Sequence, residues 1–97
     1  MPMLIQCADK PGHLQTRLDT RATHLAYLDS KKDIILAGGA VMDVDGNPFG
    51  SVLIIDTEDE AVARDFAEND PFNKAGLFET VTVTAWRKAF FNFENLT

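Results

Sequence analysis

IILAGGAVMDVDGNPFGSVLIID, residues 34–56, decides the fold. Two apolar, β-branched runs, 34–42 and 50–56, flank Asp43-Val44-Asp45-Gly46-Asn47-Pro48, whose Asp-Gly pair suits a tight reversal. The stretch predicts a β-hairpin, and its neighbours on both sides have a helical period. Upstream, across residues 11–32, Leu14, Leu18, Ala22, Leu25 and Leu28 recur at intervals of four and three. They predict a helix with its leucines turned to the core and Lys31 and Lys32 at the end where cations are favoured. Downstream, Thr57 and Glu60 form a capping-box pattern, and Val62, Ala63, Phe66 and Ala67 continue a second helix until Asn69 and Pro71 stop it.

The outer segments complete the order. Residues 3–8, MLIQCA, are a short apolar run closed by Asp9, Lys10, Pro11 and Gly12, which reads as a buried strand and a turn. Residues 78–86 alternate, with Val81, Val83 and Ala85 on one side and Phe78, Thr80, Thr82, Thr84 and Trp86 on the other. The series β-α-β-β-α-β is the split βαβ arrangement of ferredoxin-like α+β folds, an antiparallel sheet with both helices on one face. Its other face is left bare. With Phe78, Trp86 and the tail residues Phe90, Phe91 and Phe93 added, the exposed apolar area predicts a homodimer formed sheet to sheet.

Ninety-seven residues suffice for one core and not for two, so a single domain spans 1–97. Nine lysines and arginines against fifteen acids give a net charge of -6, the wrong sign for nucleic acid or an anionic membrane as partner. Nine of those acids fall between residues 43 and 70. The single Cys7 lies in an apolar run and reads as a buried, inert thiol in a reducing compartment. No apolar run has the ~18 residues of a membrane span, and residues 1–8 lack the features of a signal peptide, so the expected location is the cytoplasm.

Chemistry concentrates on the first helix. Arg17, Arg21 and His24, spaced four and three, share a face bordering the leucine stripe. Two guanidinium forks and an imidazole there suit an anionic or phenolic ligand, and they suit equally a solvated flank paired with carboxylates. On the first reading, losing either arginine would weaken ligand binding more than stability. Asp70, ahead of Pro71, is biased out of the helical region, which fits an orienting carboxylate or a plain helix stop. Gly38 and Gly39 within a strand are costly unless the strand bulges or something approaches the backbone closely, a packed helix or a ligand. Asp43, Asp45 and Asn47 imitate a calcium loop, but Pro48 and Ile54 occupy the positions where glycine and glutamate are needed. His13 and His24 have no cysteine partner at zinc spacing, and no phosphate loop or nucleophile elbow occurs, so no metal or cofactor is expected.

Several of these segments together resemble the YciI-like, or YCII-related, proteins along nearly the whole chain. The resemblance rests on Arg17-Leu18-x-x-Arg21-x-x-His24-Leu25, Leu36-Ala37-Gly38-Gly39, Gly50-Ser51, and Asn69-Asp70-Pro71-Phe72 before Ala75-Gly76-Leu77. It implies a dimeric α/β barrel of ferredoxin-like subunits and a site built around a histidine and an aspartate, here His24 and Asp70. One branch of that family carries out dehydrochlorination of a chlorinated hydroxyhydroquinone. The sequence departs from the family pattern at Thr84-Ala85-Trp86, where a proline-containing turn is usual, and in its longer aromatic tail.

Two readings follow. In one, the chain is a small cofactor-independent enzyme acting on an acidic or phenolic compound. His24 is then the acid or base, Asp70 its orienting group, and Arg17, Arg21, Gly39 and Ser51 bind substrate. In the other, the same pocket serves a non-catalytic module that only binds a small ligand.

Overall fold

The computed structural model describes residues 1–97. Strand β1 (Met3–Asp9) leads to helix α1 (Leu14–Ser30), and a single 3-10 turn at residues 32–34 leads to β2 (Ile35–Met42). The hairpin partner β3 (Pro48–Ile55), helix α2 (Glu60–Glu68), a one-turn helix α3 (Pro71–Lys74) and β4 (Phe78–Ala85) follow. The sheet order β2-β3-β1-β4, antiparallel throughout, is the ferredoxin-like arrangement. No helix is long and apolar enough to cross a membrane.

Each junction has a local cause. In the β2–β3 turn, Asp43 Oδ1 accepts the backbone N–H groups of Asp45 and Asn47, both at 2.9 Å, and Gly46 takes φ +82°. The cap of α2 is Asp59, not the expected Thr57: its carboxylate accepts from Ala61 N–H at 2.8 Å, and Thr57 Oγ1 supports Asp59 N–H instead. Helix α3 begins at Pro71 with Asp70 as its cap and ends at Lys74, and the chain turns away at Gly76, at φ +76°. There Leu77 N–H returns to Phe72 C=O and drops Leu77 into the core.

The core comprises Met3, Ile5 and Cys7 of β1, Leu53 and Ile55 of β3, Val83 of β4, and Ala63, Phe66 and Ala67 of α2, closed by Phe72, Leu77 and Phe78. Phe78 thus lies on the helix side, contrary to the strict alternation read from the sequence. Asp9 pairs with Phe78 but Ala8 pairs with Thr80, so Glu79 is an extra residue in β4. That bulge brings Phe78 into phase with Val81 and Val83.

The leucine stripe of α1 is a second correction. Leu14, Leu18 and Leu25 are exposed, and the helix buries Arg17 and His24 instead, with Tyr27 and Leu28 half-buried. At ~100° per residue, Arg17, His24 and Leu28 share one line, and the three leucines lie 60–100° to its side. The inward line is polar because buried acceptors wait beneath it.

The sheet face away from the helices carries Leu4, Val41, Val52 and Ile54, all half-exposed, beside Thr80, Thr82 and Thr84. The tail forms a small hairpin, β5 (Phe90–Phe91) with β6 (Glu94–Asn95), and Phe90 and Phe93 are exposed. Pairing of two copies through the bare face is the expected state. Sedimentation at micromolar concentration should give about twice the 10.7 kDa chain mass, and a monomer there would overturn it.

Candidate active site

Position along β1 supplies the first component. Met3, Ile5, Cys7 and Asp9 share the helix-facing side of the strand, so Asp9 ends a line of core residues beneath α1. Its carboxylate accepts from Arg17 Nε at 2.7 Å and from Arg17 Nη2 at 3.0 Å. Both side chains are almost wholly buried, at 5% and 7% exposure. Arg17 Nη2 also donates to Ser51 Oγ at 2.9 Å, on β3. A buried guanidinium requires such pairing, and here one carboxylate and one hydroxyl supply it.

Two helical turns further along α1, His24 reaches Asp70. Its Nδ1 is 2.8 Å from Asp70 Oδ1, and the same oxygen accepts the Phe72 backbone N–H at 2.9 Å. Pro71 holds Asp70 in extended backbone, φ -61° and ψ 127°, so the side chain caps α3 and turns to His24. Phe72 joins the two halves. Its ring stacks on the His24 imidazole with centroids 3.8 Å apart and planes 11° from parallel, and Arg17 Cζ lies 4.6 Å from its centre. Phe78 meets it edge-on at 6.1 Å.

No side-chain nitrogen or oxygen is both buried and without a partner. His24 Nε2 and Arg17 Nη1 make no hydrogen bond within the chain, so both open onto the adjacent cleft, which His24 and Arg17 line. That cleft, about 170 Å³, runs between α1 and the β2 edge and is walled by Arg21, Leu25, Leu28, Gly39, Ala40, Ser51, Leu53 and Phe72. Its size is that of one six-membered ring, since an apolar cavity of ~150 Å³ accommodates benzene. A Cβ on Gly38 would come within 2.6 Å of Leu53 Cδ2, so the close approach there is made by a packed side chain. Gly39 has nothing within 4 Å of its Cβ position and reaches the cleft through its backbone.

The cleft therefore gathers Arg17, Arg21, His24, Gly39 and Ser51, with Asp70 directly behind His24. The arginines are not equivalent. Arg21 is exposed and unpaired, whereas Arg17 sits in a buried ion pair, so its loss is expected to cost stability as well as binding. Asp9 and Phe72 were missed. Asp9 reads as a turn residue in the sequence, although extending the Met3, Ile5, Cys7 alternation by one step would have found it. His13, at the start of α1, directs its side chain only to Pro11 C=O and takes no part. No three His, Cys, Asp or Glu side chains come together as a metal-binding group.

Below the site, burial pushes the Cys7 thiol up to about 12 from 9.0, and the charges of Asp70 and then Asp9 add to the effect against Arg17. Tyr27 donates to Phe66 C=O at 2.8 Å, and burial, then Asp70 and Asp65, raises its hydroxyl pKa above the ordinary value.

A family model for the YCII-related domain matches residues 1–87. Protein YciI of Escherichia coli O6:H1 is 34% identical, over 93% of this chain and all of its own length. Among solved structures, this chain is similar to 5-chloro-2-hydroxyhydroquinone dehydrochlorinase (TftG) from Burkholderia phenoliruptrix AC1100, in complex with 2,5-dihydroxybenzoquinone. The identity is 42% with a TM-score of 0.84, covering 90% of this chain and 94% of that one. A candidate antibiotic biosynthesis monooxygenase from Bacteroides thetaiotaomicron shares the fold at 14% identity and a TM-score of 0.59, over 97% and 93% of the two chains.

Two measurements check the energetics. Arg17→Ala leaves Asp9 buried and unpaired and should destabilise by about 3–5 kcal/mol in urea unfolding, whereas exposed Arg21→Ala should change stability by less than about 0.5 kcal/mol. Iodoacetamide at pH 8 should leave Cys7 unmodified in the folded protein and label it once denatured. Because the folded thiol titrates above the unfolded one, this group's contribution to stability is intact below pH 9.0 and falls as pH rises toward about 12.

Proposed function

The chain belongs to the YCII-related domain family, and we propose that it is a small cofactor-independent enzyme moving protons on a phenolic or acidic ring compound, with elimination of a leaving group as the reaction. One observation carries this reading: His24 bonds to Asp70 through Nδ1 and presents Nε2 to a ring-sized cleft. The likeness to a dehydrochlorinase at 42% identity supports the reaction class.

Accepting from Nδ1–H, Asp70 fixes the tautomer in which Nε2 carries the lone pair. Nε2 takes the proton of a ring hydroxyl, and the oxygen's electron pair moves toward the ring. The charge developing on that oxygen meets the Arg17 Nη1 donors, which are already in place. The imidazolium then returns its proton to the ring carbon bearing the leaving group, giving a ketone and a tetrahedral carbon. Loss of a second hydroxyl proton to Nε2 sends electrons back through the ring, and the carbon–halogen bond breaks with the pair leaving on halide. The net change is loss of HCl from a chlorinated hydroquinone to give a quinone, and His24 passes the remaining proton to water. No external oxidant enters, because the departing chloride takes the electron pair.

Arg21, at the cleft wall and free of partners, attracts an anionic substituent or the ionised product. The setting we assign is the cytoplasm, where a lone thiol stays reduced. The test is chloride release and quinone absorbance with 5-chloro-2-hydroxyhydroquinone as the probe. The parent protein should turn it over, and His24→Asn, folded by circular dichroism, should lose about 10²–10⁴-fold in kcat. Saturable binding of the probe without chloride release, or a folded His24→Asn with full activity, would instead support the non-catalytic binding module.

A further inference from the structure

Asp9 enters none of the steps above, yet it lies almost wholly buried against Arg17, the buried one of the cleft's two arginines. We infer that Asp9 is a positioning residue, which aims the Arg17 guanidinium so that its Nη1 edge alone faces the reacting oxygen. The inference rests on reading the cleft as the reaction site.

A guanidinium has five N–H donors in one rigid plane. Asp9 Oδ2 takes Nε–H at 2.7 Å, Asp9 Oδ1 takes one Nη2 proton at 3.0 Å, and Ser51 Oγ accepts from Nη2 at 2.9 Å. The two donors left over both sit on Nη1. Because the fork is planar, holding Nε and Nη2 fixes the direction of Nη1, and the Phe72 ring 4.6 Å from Cζ supports the plane. A donor aimed before the reaction needs no rearrangement when charge develops, which is what lowers a barrier without tightening substrate binding. Attraction of an anion alone would not require this arrangement, since Arg21 supplies a free cation one turn further along the same helix. The two arginines therefore divide the work. Arg21 governs substrate binding, and Arg17, held by Asp9, acts on the transition state.

The experiment compares the parent with Asp9→Asn, Arg17→Lys, the double variant and Ser51→Ala, using 5-chloro-2-hydroxyhydroquinone for turnover. NMR of the Arg17 Nε–H proton, with and without 2,5-dihydroxybenzoquinone, reads the guanidinium directly. Asp9→Asn should lower kcat about 10–100-fold with KM within threefold. The double variant should be no worse than the more damaged single, because the pair acts as one unit. The Arg17 Nε–H signal should exchange slowly in the parent and move when the quinone binds, and Asp9→Asn should broaden it. If Asp9→Asn does not fold, Ser51→Ala releases one tether of the same guanidinium, and its kcat should fall severalfold at unchanged KM. A folded Asp9→Asn with parental kcat, a loss confined to KM, multiplicative effects in the double variant, or Ser51→Ala indistinguishable from the parent would each overturn the role of Asp9. A parent protein that neither turns over the first compound nor shifts its Arg17 signal with the second would overturn the reading of the cleft itself, and Asp9's role with it.

Discussion

A guanidinium placed inside a small domain dictates what surrounds it, and Arg17 does so here. Buried to 4% exposure, it needs a carboxylate and a further acceptor within reach, and these come from two different strands. Asp9 reaches it because β1 keeps its alternation one residue past the apolar run, opposite the bulge at Glu79. Ser51 reaches it because β3 places that hydroxyl on the same face, across from Cys7. Helix α1 in turn must rotate its polar line inward, which leaves Leu14, Leu18 and Leu25 at the surface. Replacing such a buried pair by apolar residues is often neutral or stabilising, so the pair is weak evidence of selection for stability.

Asp70 ties the other half of the site to the chain's local geometry. A single oxygen, Oδ1, caps α3 through Phe72 N–H and meets His24 Nδ1, so the bond that starts the short helix also places the imidazole's partner. The ring of the capped residue then stacks on His24. Carboxylate and ring therefore move as one unit, and the dyad's geometry depends on how α3 is seated against α1. The Gly76 turn and the core position of Leu77 anchor the far end of that short helix. The site is thus held by rigid elements on both sides.

The element order was legible because hairpin, helix and strand periods are distinct, and the strand and helix boundaries fell within a few residues. Burial on α1 was not, because hydrophobic periodicity assumes that the apolar line faces in. It fails where two charged or titratable groups have buried partners elsewhere in the chain, and no local pattern announces Asp9 or Ser51 as those partners. Phe78 was misplaced for a similar reason: a bulge inserts one residue, Glu79, that alternation cannot foresee. His24 and Asp70 were marked by helix spacing and by Asn69-Asp70-Pro71, but only the resemblance joined them, since 46 residues separate them. The short helix α3 was hidden by the stop signal that begins it.

The cleft itself follows from the residues that fill the inward line of α1. Leucines at positions 17 and 24 would let the helix settle onto β2 and β3 and fill the interval with side chains, as close packing favours. Arg17 and His24 are long, and their polar ends are held below by Asp9, Ser51 and Asp70. The helix packs chiefly against α3, while the β2 side stays open. Gly38 in β2, pressed against Leu53, leaves Ala40 as that strand's nearest helix-facing side chain in the cleft. The void is therefore a consequence of satisfying buried polar groups, and its walls carry the nitrogens of Arg17 and His24 that those bonds leave unpartnered. The groups that prevent the helix from closing on the sheet are the same ones that would act on a ring placed in the gap.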